Sequence, residues 1–525
     1  MGGSEAMTRT SDYLRMRRSG MASAHRRFRV LVAVLFIVAL VAHDPVHGAP
    51  PENIIFVDCD ATSGNNNGSS WKNAFIDLQL ALDAVAGTVE SWEIWVAEGV
   101  YYPARTSTDP TATFALQDRV GLYGGFSGDE TYRSERDWDA NVTVLSGDLG
   151  RDDSADLNGV VTDVDDIIGR NAYRVITAVS VGSSTVLDGF VVTAGDADYA
   201  MGSVHSGAGV YNDNSSPTLT NLTFSGNRAS WYGGGMSNMH DSGPTLVDVT
   251  FRNNEAGYGG GGMSNGDDSS PTLTDVTFIG NVATDGGGIA SYESGPALTN
   301  VTFTGNQAAE RGGGMYNSSS SPTLRNVTFT GNQGEYGGGM YNSSSTPMVT
   351  NVTLTGNRAA DGGGMYNSFG SPTLINLTFG SNRADALGGG VYNDNSSPTL
   401  ANCILWGNEA PASQQIHNQG TSLPDVTFCD IEGGYFGETN IAADPAFVDP
   451  VSPYEAPTTA GDYHLAQGSP AVDTGTNAAV SVDTDLDGNP RIVDGTGDGS
   501  AVVDMGAYEL QRLFVVRLPL VIRSD

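Results

Sequence analysis

The sequence has little positive charge. Of its 525 residues, 25 are Lys or Arg and 60 are Asp or Glu, which gives a formal net charge of −35 at pH 7. Lysine occurs once, as Lys72, and arginine supplies the remaining formal positive charge. A nucleic-acid-binding protein needs a basic face to contact phosphates, and this composition would repel them. General nucleic-acid binding is therefore excluded.

Cysteine is also scarce, since Cys59, Cys403 and Cys429 are the three in the chain. This number excludes a disulfide framework. Cys403 and Cys429 are 26 positions apart, which is one period of the repeat described below. We therefore expect them on neighbouring coils, about 4.8 Å apart. Two interpretations stay open at that distance: a pair of stacked, buried thiols, or a disulfide bridge.

The chain lacks an apolar run that would comfortably span a membrane. The run from Val30 to Ala42 follows seven arginines and is too short for a hydrocarbon core of roughly 30 Å. This pattern predicts a secretory signal peptide over residues 1–48, with Met21 as a plausible start and Ala49 after the cleavage site. A membrane anchor is the alternative interpretation. The predicted mature chain is extracytoplasmic, strongly acidic and without a transmembrane span.

Glycine, in contrast, is abundant, with 69 residues, well above the usual level of roughly 7%. Because 39% of the residues are still hydrophobic, disorder is not expected and a turn-rich all-β fold is favoured.

Residues 207–408 repeat one unit of 25 to 27 residues, built from the runs GGGMYN, SPTL and NVTFTGN. Columns of proline, aromatic residues and asparagine run in phase through eight units, so the repeat does not depend on one residue type. The asparagine column is Asn227, Asn254, Asn281, Asn306, Asn332, Asn357, Asn382 and Asn408. We expect these asparagines to form left-handed corners or amide ladders between coils rather than to bind a ligand.

Each unit contains three short alternating runs, GMYN, PTL and NVTF, and none is long enough for a helix. Repeats of this kind predict an all-β fold, a parallel β-helix in which Leu, Val, Phe and Met columns stack along the axis. Residues 71–85 have apolar positions at helical spacing and predict a short N-terminal capping helix. Irregular early coils are expected around residues 93–96, 114–126, 142–145 and 173–193.

The predicted organisation has five parts. A signal peptide (1–48) precedes a cap with early irregular coils (49–200), eight regular coils (201–410), a closing region (411–510) and a tail (511–525).

Several motifs resemble known bacterial families. The GGGM and FTGN columns resemble polymorphic outer-membrane protein repeats, which occur on surface adhesins with right-handed parallel β-helix passengers. The segments IWVAEGVYYP and VLDGFVVTAGDA are similar to secreted proteins of the pectate-lyase-like superfamily, and DPAFVD, DTDLDGNPR and VDMGAYEL resemble the choice-of-anchor Q region. These resemblances imply a single-stranded, right-handed β-helix that is secreted or displayed at the cell surface, with outer-membrane association as one form of display. They imply no established reaction.

The sequence identifies no catalytic residue. Hydrolases of the polygalacturonase type would carry GHG and RIK-like motifs, which the chain lacks, and a lyase would need a base beside a calcium-held acidic cluster. An undetected site would be sought near Asp188, Asp196 and Asp198, while His205 and His240 are interpreted as solvated loop residues. The arginines of the repeats do not concentrate in one place along the chain: Arg228, Arg252, Arg311, Arg325, Arg358 and Arg383.

A calcium site is expected near the C-terminus, and Ca²⁺ is the one cofactor that the sequence suggests. Asp483, Asp485 and Asp487 precede Gly488 with the D-x-D-x-D-G spacing of a calcium loop, and Asp494 occupies the twelfth position. Asp at that position and Pro490 within the loop depart from the EF-hand pattern. The alternative is a solvated acidic turn that belongs to the choice-of-anchor Q resemblance.

We expect a non-catalytic, extracellular or cell-surface β-helix that mediates adhesion or glycan binding, with glycans or other cell-surface components as partners. A polysaccharide lyase or glycoside hydrolase with a divergent site is the alternative. One tyrosine column could form an aromatic strip for sugars or could pack over the coil surface. Its members are Tyr316, Tyr341, Tyr366 and Tyr392.

Overall fold

The computed structural model describes residues 53–104, 109–197 and 205–511. The predicted signal peptide, Asp198 and nearly all of the predicted C-terminal tail lie outside these residues. Within them the chain winds into an all-β parallel solenoid of about 13 turns, as the repeat predicts. None of the described helices is both long enough and apolar enough to pass through a membrane.

Three parallel sheets run along the solenoid, and each successive coil adds its strand in register. The first sheet contains Ile54–Val57, Trp92–Ala97, Gly99–Tyr101, Val120–Phe126, Thr143–Ser146, Val186–Thr193, Thr218–Ser225, Thr245–Arg252, Thr272–Ile279, Ala297–Thr304, Thr323–Thr330, Met348–Thr355, Thr373–Gly380, Thr399–Ala401, Ile404–Trp406, Asp425–Thr427 and Asp430–Ile431.

The second sheet is built from the GMYN runs and their earlier counterparts. It contains Phe114–Ala115, Ile176–Val179, Val210–Asp213, Met236–Met239, Met263–Asn265, Ile289–Tyr292, Met315–Ser318, Met340–Ser343, Met365–Ser368, Val391–Asp394 and Ile416–Gln419. Strand stacking therefore continues past residue 410, the predicted limit of the regular coils.

The strands of the third sheet are formed by residues that the sequence pattern does not distinguish from loops. From Arg228 onwards its strands follow the buried asparagine of each coil, and their lengths vary between two and five residues. They are Asp196–Ala197, Arg228–Ala229, Glu255–Gly259, Val282–Asp285 and Gln307–Arg311, followed after an interruption by Arg358–Asp361 and Arg383–Leu387.

The PTL and NVTF runs join into one bent strand of the first sheet. In Thr218–Ser225 the residue between them, Asn221, has a φ of 51°, a left-handed conformation that Asn tolerates better than most residues. This residue shifts the alternation of the strand, so that Leu219, Leu222 and Phe224 are all buried. Other coils place Asn or Asp at this corner: Asp248, Asp275, Asn300, Asn326, Asn351, Asn376 and Asn402.

The predicted asparagine column forms a buried amide ladder. Asn306 donates from Nδ2 to Oδ1 of Asn332 at 3.0 Å and to the carbonyl of Phe278 at 3.0 Å. Its backbone N–H donates to the same Oδ1 of Asn332. The ladder is thus confirmed, but the left-handed residue beside it is the preceding glycine, Gly305, with a φ of 62°. The glycine makes the turn and the asparagine satisfies the backbone groups of adjacent coils.

Apolar columns fill the interior between the sheets. The rings of Phe278, Phe303 and Phe329 stack with centroids 4.6 to 4.9 Å apart and nearly parallel planes. Cys403 and Cys429 are buried, free and on consecutive coils, and the N–H of Cys403 donates to Sγ of Cys429 at 3.3 Å. Of the two interpretations for these cysteines, the structure shows stacked thiols.

The predicted helix covers the start of the core, but it occupies only the second half of the predicted range of residues 71–85. It spans Leu78–Val85, and Asp77 caps it by accepting a hydrogen bond from the N–H of Gln79 at 2.9 Å. Leu78, Leu82 and Val85 are buried. Short 3₁₀ helices lie at Trp71–Asn73, Arg133–Glu135, Val164–Asp166, Pro453–Glu455 and Asn477–Ala479.

The C-terminal region, residues 432–511, does more than close the end of the solenoid. Its strands form two small antiparallel ribbons, Phe447–Asp449 with Asp462–Leu465 and Ile492–Val493 with Val502–Val503. It also lies along the first sheet, where Asn351 Nδ2 donates to the carbonyl of Thr484 at 2.6 Å and the N–H of Ala507 donates to Thr378 Oγ1 at 3.0 Å.

Candidate functional site

A groove with a volume of about 570 Å³ runs along the third sheet across its interruption. In the coil between the strands Gln307–Arg311 and Arg358–Asp361, only isolated bridges at Gln333 and Tyr336 continue the pairing. Gly334 lies here at the position that is alanine in the flanking coils. The interrupted strand leaves a hollow in the surface.

The groove has a floor of small residues, and its two sides mix polar side chains with smaller apolar ones. Ala283, Ala308, Gly334 and Ala359 are buried along its floor. Two outward columns form its sides, Val282, Gln307, Gln333 and Arg358 on one and Ala309, Glu335, Ala360 and Asp385 on the other. A floor of small residues lets an extended ligand approach the backbone, and the polar side chains on the two sides offer partners for its polar groups.

One end of this third-sheet groove gathers opposite charges. The Arg358 guanidinium donates to both carboxylate oxygens of Asp385 at 3.0 and 3.2 Å, and Arg383 Nε lies 3.5 Å from Asp385. Glu335 lines the same groove and is exposed. The end of the groove therefore places two arginines beside the Asp385 carboxylate, in a groove that Glu335 also lines.

An aromatic platform precedes the groove on the same sheet. It consists of His205, Trp231 and Tyr258. The rings of His205 and Trp231 stack with centroids 4.4 Å apart, and those of Trp231 and Tyr258 meet edge to face at 6.2 Å. Trp231 is 46% exposed and Tyr258 54% exposed. These exposures leave aromatic surface available for stacking on a ligand.

The third sheet brings together four of the arginines that are scattered in the sequence. Arg228 pairs with Asp196 at 2.9 Å and Arg311 with Asp285 at 2.8 Å. Arg358 and Arg383 complete this group at the far end. Arg252 and Arg325 belong to strands of the first sheet.

Asp188 and Asp196 do not form one site. Asp188 lies in the first sheet, where it pairs with Arg136 and accepts a hydrogen bond from Asn221 Nδ2 at 2.8 Å. Asp196 lies in the third sheet and pairs with Arg228. Each carboxylate is neutralised separately, and Asp198 lies outside the described residues.

The histidines of the sequence analysis have different surroundings. His205 belongs to the aromatic platform and lies 3.3 Å from Ser230 Oγ. His240 is largely exposed, and its hydrogen bond to Asp213, at 2.8 Å, raises the pKa of the imidazole.

The four aspartates of the predicted calcium loop have several separate partners. The Asp485 carboxylate is buried and accepts backbone hydrogen bonds from Asp487, Asn489 and Glu509. Asp487 pairs with His464, the backbone carbonyl of Asp483 accepts from the N–H of Arg491, and Asp494 accepts backbone hydrogen bonds within its own loop. The calcium site stays a prediction.

A different group of carboxylates has its oxygens close together. Asp148, Asp152 and Asp153 each offer a ligand atom within 4.8 Å of the others, and no other such group occurs among the described residues. Burial raises the pKa of Asp153 to about 6, against hydrogen bonds from the Ile168 N–H and from Asn171 that lower it. The motif SGDLGRDD carries these aspartates, but their spacing alone did not single them out.

The tyrosine column packs along the second sheet. The Tyr341 and Tyr366 rings stack at 4.8 Å and the Tyr366 and Tyr392 rings at 4.4 Å. Tyr316 and Tyr392 are buried. Of the two interpretations, packing over the coil surface is the one that the structure supports.

Sequence reasoning missed the groove and its platform. No regular pattern marks the stretches that contain Gln333, Glu335 and Asp385. The aromatic residues Trp231 and Tyr258 do not recur at the same position in the other coils. The available signal was the change from Ala to Gly at Gly334 within an otherwise constant alanine column.

Comparisons with known proteins identify the fold. Residues 177–333 and 267–431 match the family described as right handed beta helix region. This match identifies the solenoid as right-handed. No match was found among curated proteins. Among solved structures, pectate lyase Pel9A is similar with 13% identity and a TM-score of 0.43, over 89% of this chain and 98% of that one.

Two further solved structures are similar at lower scores. Tailspike protein 3 of bacteriophage CBA120 has 12% identity and a TM-score of 0.31, over 74% of this chain and 59% of the tailspike. Pectin methylesterase PemA from Erwinia chrysanthemi has 9% identity and a TM-score of 0.26, over 74% and 92% of the two chains.

Proposed function

We propose that this chain is an extracellular or cell-surface β-helix protein that binds glycan chains, without catalysis, through the third-sheet groove. The observation that carries the proposal is the open groove with its floor of alanine and glycine, in line with an exposed aromatic platform. Surface adhesion would follow from this binding.

The dimensions of the surface suit an extended ligand. The groove is lined by residues from the coil of Val282 to the coil of Asp385, four coil steps apart, or about 19 Å at roughly 4.8 Å per step. The platform of His205, Trp231 and Tyr258 adds three further steps. Sugar rings stack on aromatic faces while their hydroxyl groups exchange hydrogen bonds with amide and carboxylate side chains. Trp231, Gln307 and Gln333 supply these two kinds of contact.

The charges of the groove limit the kind of glycan. Arg358 is neutralised by Asp385, while Glu335 adds a carboxylate, and the whole chain is strongly acidic. A polyanionic polysaccharide would be repelled at low ionic strength. Neutral glycans are therefore the expected class.

The test is binding and turnover of residues 49–525 on a polysaccharide array, followed by calorimetry with each retained glycan. Trp231→Ala should weaken binding about tenfold through the lost ring contact. Tyr341→Phe, on the second sheet, is the control and should bind as the unmodified chain does. Unchanged affinity of Trp231→Ala and of Gln333→Ala together would reject the groove as the binding surface.

A polysaccharide lyase or hydrolase remains the second candidate, favoured by Arg358 beside Asp385 in a groove that Glu335 also lines. An arginine near carboxylates can serve a lyase in which Ca²⁺ neutralises the acid groups. Release of unsaturated or reducing ends by the unmodified chain, lost in Arg358→Gln, would establish this candidate. Loss of glycan retention in EDTA would instead support the predicted calcium site at Asp483, Asp485 and Asp487.

A further inference from the structure

A second cleft, independent of the third-sheet groove, lies where the C-terminal region meets the first sheet. It has a volume of about 520 Å³. One wall comes from three consecutive coils and the other from the C-terminal region. The coil wall consists of Asp275, Asn300, Thr302, Asn326 and Thr328, and the opposite wall of Thr484, Leu486, Asp487, Gly488 and Tyr508.

The coil wall is a rigid row of polar groups. Asn300 Nδ2 donates to Asp275 Oδ1 at 2.9 Å, and Asn326 Nδ2 donates to Asn300 Oδ1 at 3.1 Å. These corner residues are spaced by the coil rise of about 4.8 Å. Asn351 extends the row and donates both to Asn326 and to the carbonyl of Thr484 on the opposite wall. The two walls are therefore fixed relative to each other along this edge.

The opposite wall is held by a chain of side chains. His464 Nε2 lies 2.7 Å from Asp487 Oδ2, and His464 Nδ1 lies 2.5 Å from Asp462 Oδ1. The Tyr508 ring packs against the imidazole with centroids 3.9 Å apart. Asp487 and Tyr508 are thus positioned before any ligand arrives, which lowers the cost of ordering them on binding.

The charges around this cleft are unbalanced. The lining contains two carboxylates, Asp275 and Asp487, and neither Lys nor Arg, while His464 pairs with both Asp487 and Asp462. No three carboxylate, imidazole or thiol groups here have ligand atoms within 4.8 Å of one another, as judged over residues 53–104, 109–197 and 205–511. The side chains of the cleft therefore do not form a compact set of metal ligands. Its two carboxylates, Asp275 and Asp487, lie on opposite walls.

We propose that this C-terminal cleft binds a short oligosaccharide of amino sugars. An ammonium group would pair with Asp275 or Asp487, and hydroxyl groups would exchange hydrogen bonds with Asn300, Asn326 and the threonines, while Tyr508 offers a ring edge or face to the sugar. Uronic acid sugars are excluded by like-charge repulsion, and neutral sugars lack the ionic contact.

The chain contains a matched control for this site. Asp248 occupies the same left-handed corner as Asp275 one coil earlier, with φ of 53° against 56°, and is likewise exposed. It is not among the residues of the cleft. Asn fills this corner in other coils, as at Asn300 and Asn326, so both Asp→Asn changes preserve the local backbone.

The experiment is calorimetric titration of the full chain with a glucosamine tetramer, a cellotetraose and a tetragalacturonate. We expect the glucosamine tetramer to bind most tightly. Asp275→Asn and Asp487→Asn should each weaken its binding about tenfold or more, while Asp248→Asn should bind as the unmodified chain does. Thermal melting of each variant verifies that it is folded.

Other outcomes separate this proposal from the function of the third-sheet groove. If Trp231→Ala abolishes glucosamine binding and Asp275→Asn leaves it unchanged, the ligand occupies the groove and the cleft proposal is overturned. If cellotetraose binds as tightly as the glucosamine tetramer and is equally sensitive to Asp275→Asn, the amino-sugar assignment is wrong. If micromolar Ca²⁺ displaces the tetramer from the cleft, the carboxylates bind metal and the proposal also fails.

Discussion

The regular coils and the C-terminal region bury polar groups in different ways. In the coils, most buried polar groups are uncharged and repeated, and the amides of the asparagine ladder from Asn227 to Asn382 each meet an asparagine of the next coil. Asp285, which pairs with Arg311, is a buried carboxylate that departs from this pattern. In the C-terminal region they are charged and occur once, as at Arg491, Asp485, Asp504 and Glu509, which are all buried. Because the coils repeat, the same amide hydrogen bonds satisfy the buried polar groups of every coil. The C-terminal region depends instead on single contacts between particular charged side chains.

The buried charges of the C-terminal region perturb one another. Arg491 Nη2 donates to the carbonyls of Asp504 and Gly506, and Nη1 lies 3.9 Å from Glu509. Burial and the Asp504 carboxylate raise the pKa of Glu509, and burial raises the pKa of Asp504. A single guanidinium thus faces several carboxylates, and removing it would leave them without their positive partner.

The largest effect is expected in the stacked core of the coils. Phe303→Ala should lower the free energy of unfolding by about 3 to 5 kcal/mol, because it removes a ring stacked on both sides and leaves a cavity. Hydrogen exchange should show the loss in the neighbouring coils. Phe303→Leu is the control and should cost about 1 kcal/mol, since Leu354 and Leu405 occupy this column in other coils.

A second change should act on the C-terminal region. Arg491→Met should destabilise it by about 3 kcal/mol, since the buried carboxylates lose their partner. Limited proteolysis should then cleave within residues 432–511 while the coils keep their protection. Equal loss of protection in both regions would contradict the distinction between them.

A smaller effect is expected at a coil corner. Asp248→Ala should cost about 1 kcal/mol, because alanine is less stable than Asp in the left-handed conformation. The melting temperature reports the change. Asp248→Asn should be neutral, and a cost similar to that of alanine would show that the carboxylate rather than the backbone matters.

The smallest effect concerns pH. The hydrogen bond to Asp487 is the main cause that raises the pKa of His464 to about 9 from 6.5. A raised pKa means that the imidazolium stabilises the folded state below pH 6.5 and that this stability is lost as the pH rises towards 9. Because His464 is half-buried, the melting temperature should change by only about 1 to 2 °C. The melting temperature of His464→Gln should lie below that of the unmodified chain at pH values under 6.5. Above pH 9 the two melting temperatures should coincide, because the imidazole is then neutral.

Features that repeat could be predicted, and features that occur once could not. The repeat period alone predicts the Phe column and the asparagine ladder from Asn227 to Asn408. It also predicts that Cys403 and Cys429 stack on neighbouring coils. The corner at Asn221 was missed because PTL and NVTF look like two strands with a gap. The strand at Gln307–Arg311 was missed because its residues vary from coil to coil.

The candidate sites show the same division. Arg358 was recognised as a possible basic group, but its position beside Asp385, in a groove that Glu335 also lines, depends on how three different coils align. Asp487 was interpreted through its local loop, whereas in the structure it faces His464 and shares a cleft with Asp275.

By itself, the sequence determined the solenoid, its coil length and the residues of its core, because each coil contacts mainly its neighbours at a fixed step and every column reports that step. Only the tertiary structure decided where the third-sheet groove opens and which face of the coils the C-terminal region covers. Those features depend on contacts between segments that share no period, such as Asn351 with Thr484, and no repeat in the chain encodes them.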